Sequence, residues 1–162
     1  MAEPDWTLLL ESLASQGATL ATAESLTGGG LAAAITEVPG ASRVFVGGVV
    51  SYATRVKVSL LGVPENVIRT HGVVSEEVAR AMATGVRARL EATYALATTG
   101  VAGPGPAEGV PAGTVWLALA GPDGVEARLL LLQGGRGDVR RATVHEALGW
   151  LGTIAGEEPT FG

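Results

Sequence analysis

The pattern of apolar residues in this 162-residue chain predicts an α/β fold, a three-layer α/β/α sandwich around a mixed, mostly parallel sheet of about five strands. Three observations carry that prediction. Short runs rich in Val, Leu and Ala, of strand length, alternate with segments of helical spacing. Strands separated by helices imply parallel pairing. Gly121-Pro122-Asp123-Gly124 joins two further apolar runs at hairpin length, which adds an antiparallel strand.

The elements follow in order. A first helix is expected from Trp6 to Gln16, with Asp5 as its N-cap and Gly17 as its stop. Ala18 to Ala23 reads as a short buried strand. After Gly28-Gly29-Gly30, a helix carries Leu31, Ile35 and Val38 on one face and ends at Pro39-Gly40. Val44 to Tyr52 is the second strand, and a short helix covers Thr54 to Leu61. Ser75 is an N-cap, with Glu76 and Glu77 in the first turn, where they suit the helix dipole. Val78, Met82, Val86 and Leu90 then form a buried stripe. Tyr94 to Thr98 is the third strand, and a Gly- and Pro-rich loop runs from Thr99 to Ala112. Strands at Thr114 to Ala120 and Val125 to Leu132 precede a last helix from Asp138 to about Ile154. The whole of 1–162 reads as one domain, with a polar, loose tail from Gly156.

Composition narrows the function. Hydrophobic residues make up 47% and aromatic residues only 4%, so the core is aliphatic. The net charge of −5 argues against a nucleic-acid binder, which needs a basic face. The absence of cysteine excludes disulfides and thiolate nucleophiles. Two distant histidines give no metal-ligand spacing. No apolar run is long enough for a membrane span, and the acidic start lacks the basic flank of a signal peptide, so the cytoplasm is the expected compartment. Lys57 is the one lysine among eleven basic residues. An arginine serves equally well as a surface charge; a lysine is required where the group must lose its proton.

In open α/β sheets, ligands bind beyond the carboxyl ends of the parallel strands. Those ends bring together Glu24-Ser25-Leu26-Thr27-Gly28-Gly29, then Ser51-Tyr52 with Lys57 five residues on, then Thr98-Thr99-Gly100-Val101-Ala102-Gly103-Pro104. Ser25 reads either as a helix cap or as a nucleophile whose oxyanion would meet free amides at a helix start. His71 and His145 have no convincing aspartate partner, so a Ser-His-Asp triad fits poorly. Lys57, its pKa lowered by burial, is the better base. Tyr52 reads either as a relay or as a packing residue. Arg136, near the start of the last helix, suits an anionic group or a solvated face equally.

Three motifs in order resemble the CinA C-terminal domain family. They are Ala23-Glu24-Ser25-Leu26-Thr27-Gly28-Gly29; Tyr52 and Lys57 with Leu61-Gly62-Val63 and His71-Gly72-Val73-Val74-Ser75; and Thr99-Gly100-Val101-Ala102-Gly103-Pro104 with Pro111-Ala112-Gly113-Thr114-Val115. Gly134 to Arg141 resembles a fourth, so the likeness runs from about Gly17 to Leu151. The resemblance implies an amidase that hydrolyses the carboxamide of nicotinamide mononucleotide by a Ser-Lys mechanism. It makes Ser25 the nucleophile, Lys57 the base and Tyr52 its partner. It puts the oxyanion at the backbone of Thr27 and Gly28, and the substrate among Gly29, Thr99, Gly100, Gly103 and Arg136. No cofactor or metal is expected, the partner is a small nucleotide substrate, and a homo-oligomer of two or more copies is expected. The chain resembles the stand-alone form of the family. Its departures are Leu26 for cysteine, Gly135 for aspartate and Val110 for lysine. The last two also keep open a nucleotide-binding regulatory module without catalysis.

Overall fold

The structure, a computed structural model, describes residues 4–156. Its elements are α1 (Thr7–Ser15), β1 (Leu20–Glu24), α2 (Gly30–Thr36), a 3-10 turn (Ala41–Arg43), β2 (Phe45–Val50), α3 (Thr54–Leu61), α4 (Glu65–His71), α5 (Glu76–Leu90), β3 (Tyr94–Gly100), β4 (Thr114–Gly121), β5 (Gly124–Leu131) and α6 (Arg136–Ala155). The strands form one sheet in the order β2-β1-β3-β4-β5. Strands β2, β1 and β3 are parallel, β4 is antiparallel to β3, and β5 is antiparallel to β4. Only β4 therefore runs against the other four strands, which is the expected mixed, mostly parallel sheet. The chain turns from β4 to β5 across Pro122-Asp123, with Gly121 paired to Gly124.

Alternation along the strands gives the sheet two unlike faces. Leu20, Leu96, Leu117 and Leu119 point into a core built with Leu13 of α1, Leu31 and Ile35 of α2, and Leu148 and Leu151 of α6. Ala21, Ala23, Ala95, Ala97, Ala118 and Ala120 point the other way, against Val78, Met82 and Val86 of α5 and Leu61 of α3. The alanine face is shallow, so α5 lies close over the sheet and supplies the bulk itself. Helix α3 then crowds α5 at Gly85, where an added Cβ would collide with the carbonyl oxygen of Leu61.

Most expected boundaries agree to within two or three residues. Ser75 caps α5, its Oγ accepting from Val78 N at 3.3 Å. Three details differ. Trp6 takes the N-cap position of α1, and Asp5, one residue earlier, accepts from the Thr7 amide at 2.9 Å. Helix α6 starts at Arg136 rather than Asp138, whose Oδ2 accepts from the Gly135 amide at 2.9 Å. Helix α4 lies in a segment to which the sequence reading assigns no element; it is short and buries none of its residues, so it has no apolar stripe to betray it. Past Gly156, the expected loose tail lies outside the described residues. Among the described residues no helix is long and apolar enough to cross a membrane.

Two helix glycines make opposite predictions. Gly85→Ala should lower unfolding stability by about 2 kcal/mol or more, because the new methyl meets backbone rather than a movable side chain. Gly149→Ala in α6, where an added Cβ meets nothing within 4 Å, should raise stability by about 0.5–1 kcal/mol. Urea unfolding of the two variants beside the parent checks both signs.

Candidate active site

The carboxyl ends of β2, β1 and β3 lie side by side, and the chain leaves each of them through a turn that carries polar side chains. After β1, Ser25 begins a tight turn in which the Gly28 amide donates to Ser25 O at 3.0 Å and the Gly30 amide to Thr27 O at 2.9 Å. Gly28 and Gly29 take φ values of +60° and +99°, which favour glycine over residues with a Cβ. After β2, the Ser51 amide donates to Glu24 O at 2.8 Å, so the two strand ends stay paired one residue beyond the sheet. The chain then bends at Tyr52-Ala53 into α3, whose second turn carries Lys57.

Lys57 is 1% exposed and Ser25 8%. The lysine amine donates to Ser51 O at 2.6 Å, to Ser25 Oγ at 2.9 Å and, more weakly, to Tyr52 O at 3.4 Å. Those contacts account for all three N–H donors of an ammonium. No carboxylate among the described residues pairs with it. Burial therefore acts unopposed and pushes the Lys57 amine down to about 8. When the amine is neutral, its two N–H groups can stay on the two carbonyls while its lone pair receives the Ser25 hydroxyl proton. This is the geometry of a serine with an attached general base.

Other expected site residues are distributed less simply. Tyr52 touches Lys57 through its main-chain carbonyl; its phenol oxygen, on a largely exposed ring, accepts from Arg136 Nη2 at 3.3 Å. Arg136 Nη1 donates to Gly103 O at 2.7 Å. Ser25, Leu26, Tyr52, Gly100, Gly103 and Arg136 are among the residues that line one open cleft of about 430 Å³. Thr27, Gly28, Gly29 and Thr99 do not line it. The hydroxyl of Thr27 pairs with that of Thr98 at 2.9 Å, and Thr99 Oγ1 donates to Val73 O at 3.0 Å. Both threonines brace the walls from behind.

The backbone of Thr27 and Gly28, where an oxyanion is expected, is partly occupied. The Gly28 amide is occupied by Ser25 O, and the first helical amides of α2 are occupied as well. Glu24, 1% exposed, accepts from Leu31 N at 2.8 Å and from Ala32 N at 3.1 Å. The free helix start expected beside Ser25 is thus capped by a carboxylate from the strand end. The amides of Leu26, Thr27 and Gly29 donate to no acceptor among the described residues, and of these Leu26 and Thr27 follow Ser25 directly in the chain. Glu24, Ser51 and Thr98, which the sequence brings to the strand ends without a role, and Arg140, which donates to Leu26 O and Thr27 O at 3.1 Å each, also build the site. Glu24 adjoins Ser25 in sequence, but its role as a cap acts seven residues along the chain and carries no local signature.

Comparison with known proteins gives the family. The family model of the CinA C-terminal domain matches residues 6–155. A CinA-like protein of Frankia casuarinae is 55% identical over 141 residues, covering 87% of this chain and 33% of that protein. A CinA-like protein of Gloeobacter violaceus is 52% identical over 142 residues, covering 86% and 33%. The chain spans about a third of the length of these curated relatives. Among solved structures, the competence/damage inducible protein CihA from Agrobacterium tumefaciens superposes with a TM-score of 0.87 at 35% identity, covering 97% of this chain and 99% of that one. A CinA superfamily protein from Klebsiella pneumoniae gives a TM-score of 0.90 at 33% identity, covering 94% and 96%. With this match in sequence and in fold, the chain belongs to the CinA C-terminal domain family.

Proposed function

We propose that the protein is a serine amidohydrolase that hydrolyses the carboxamide of nicotinamide mononucleotide to nicotinate mononucleotide and ammonia. The observation that carries the chemistry is the buried 2.9 Å contact between Lys57 Nζ and Ser25 Oγ. The choice of substrate rests on the family resemblance, supported by a cleft within the size range of small-molecule sites.

Neutral Lys57 takes the Ser25 hydroxyl proton as Oγ attacks the amide carbon. The resulting oxyanion is met by the amides of Leu26 and Thr27. The lysine ammonium gives its proton to the departing amide nitrogen, ammonia leaves, and an ester on Ser25 remains. Water then attacks that ester with Lys57 again as base; the acid is released and the Ser25 hydroxyl is restored. Tyr52 and Arg136 form the outer wall, where an aromatic ring and a guanidinium suit a substrate with a planar ring and an anionic group. A module that only bound nucleotides would gain nothing from a desolvated lysine fixed on a serine.

Ammonia release from nicotinamide mononucleotide by the purified protein tests the reading. Ser25→Ala and Lys57→Arg should each lower kcat by about a thousandfold or more, the arginine because it keeps the charge but cannot give up a proton. No release from the parent protein at any pH would sink the assignment of substrate and reaction.

The pH dependence has a defined sign. The active form is the neutral amine, so kcat/KM should rise about tenfold per pH unit below the lysine pKa and level off above about 8. A profile that falls through this range would exclude Lys57 as the base.

A further inference from the structure

Arg140 sits one helical turn beyond Arg136 on α6 and meets the turn that carries Ser25. Its Nε donates to Leu26 O and its Nη2 to Thr27 O, each at 3.1 Å. No carboxylate among the described residues pairs with it. Leu26 O has no other donor among the described residues, and Thr27 O has only the Gly30 amide besides. A Cβ at Gly28 would stand 3.1 Å from Nη2, so the bare glycine lets the guanidinium close on the turn.

The consequence follows from peptide geometry. In a trans peptide the C=O and N–H point in opposite directions. Drawing Leu26 O toward α6 therefore turns the Thr27 N–H away from α6. Drawing Thr27 O the same way turns the Gly28 N–H onto Ser25 O, where it is bonded at 3.0 Å. That bond fixes the Ser25–Leu26 peptide in turn, and with it the Leu26 N–H. One planar two-pronged donor thus governs three consecutive peptide planes; of their three amides, that of Gly28 is bonded and those of Leu26 and Thr27 are left open. We propose that Arg140 is a positioning residue that holds the Leu26 and Thr27 amides in register for the oxyanion formed at Ser25. This rests on the reading of Ser25 as nucleophile.

Labelling of Ser25 by an alkyl fluorophosphonate tests it without any natural substrate. Phosphonylation forms an oxyanion at the same place and needs the same base. In Arg140→Met the labelling rate should fall about tenfold to a hundredfold, the scale of a misaligned oxyanion donor. Its pH midpoint should stay at the parent value, because Lys57 is untouched. Arg140→Lys, which retains one donor and the charge, should fall between the two and serves if the methionine variant folds poorly. Millimolar guanidinium should restore part of the rate in Arg140→Ala without moving its unfolding midpoint, which a purely structural role would not produce. Equal labelling rates in parent and Arg140→Met, or a shifted pH midpoint, would overturn the role of Arg140 alone. A parent protein that does not label at Ser25 at all would overturn the nucleophile reading, and this inference with it.

Discussion

A lysine amine held by two carbonyls and one hydroxyl, with no carboxylate beside it, is costly to bury in its charged form. The fold accommodates it by letting the proton go at about pH 8 rather than by supplying a counter-ion. Much of the neighbouring architecture can be understood from that one demand. Strand β2 must end so that Ser51 O turns inward, and α3 must begin at once so that Lys57 returns to the strand end it has just left. The bond from the Ser51 amide to Glu24 O holds β1 and β2 in register where the serine and the lysine must meet. Gly62, at φ +71°, closes α3 directly after that turn.

The electrostatics on the other side of Ser25 complement this. A helix N-terminus would normally attract an anion, yet α2 offers little of that attraction because the Glu24 carboxylate already occupies its first amides. In the proposed reaction, stabilisation of negative charge at Ser25 then falls to the turn rather than the helix. Turn amides have no ladder to hold them, and their orientation depends on what their carbonyls bind. The contacts of Arg140 with Leu26 O and Thr27 O, and the Thr27–Thr98 hydroxyl pair, supply that hold from α6 and β3.

Much of this was legible in the sequence because it is local or periodic. The alternation of helices and strands, the Ser75 cap and the hairpin at Gly121 to Gly124 each leave a short-range signature. Lys57 stood out by its rarity, and the strand-end rule brought it to Ser25. What stayed hidden depends on tertiary contact. Glu24 looks like any polar residue at a strand end until α2 folds back over it. The family resemblance makes Tyr52 a partner of Lys57; its ring swings outward to Arg136, and its carbonyl is what meets the amine. Arg140 and Arg141 are adjacent and alike in sequence, yet Arg141 binds Asp138 on the exposed helix face while Arg140 turns inward to the site.

Helix α6 contributes no reacting atom in this scheme, yet it ties both walls of the cleft. Arg136 fastens the loop after β3 through Gly103 O and meets Tyr52 after β2, and Arg140, one turn on, fastens the turn after β1. Because a helix is stiff over a single turn, the two arginines set the distance between these walls. The start of α6 then matters more than its exposure suggests. Gly135 lacks the side chain that would cap the helix from the first position, and Asp138 puts its carboxylate on the Gly135 amide instead. That contact and Arg141 hold the Asp138 carboxyl below the usual carboxylate range, so it stays ionised wherever the lysine can act as a base. A substitution that looks like a loss at position 135 therefore leaves a carboxylate at this helix start, and with it the helix end from which Arg136 reaches the cleft.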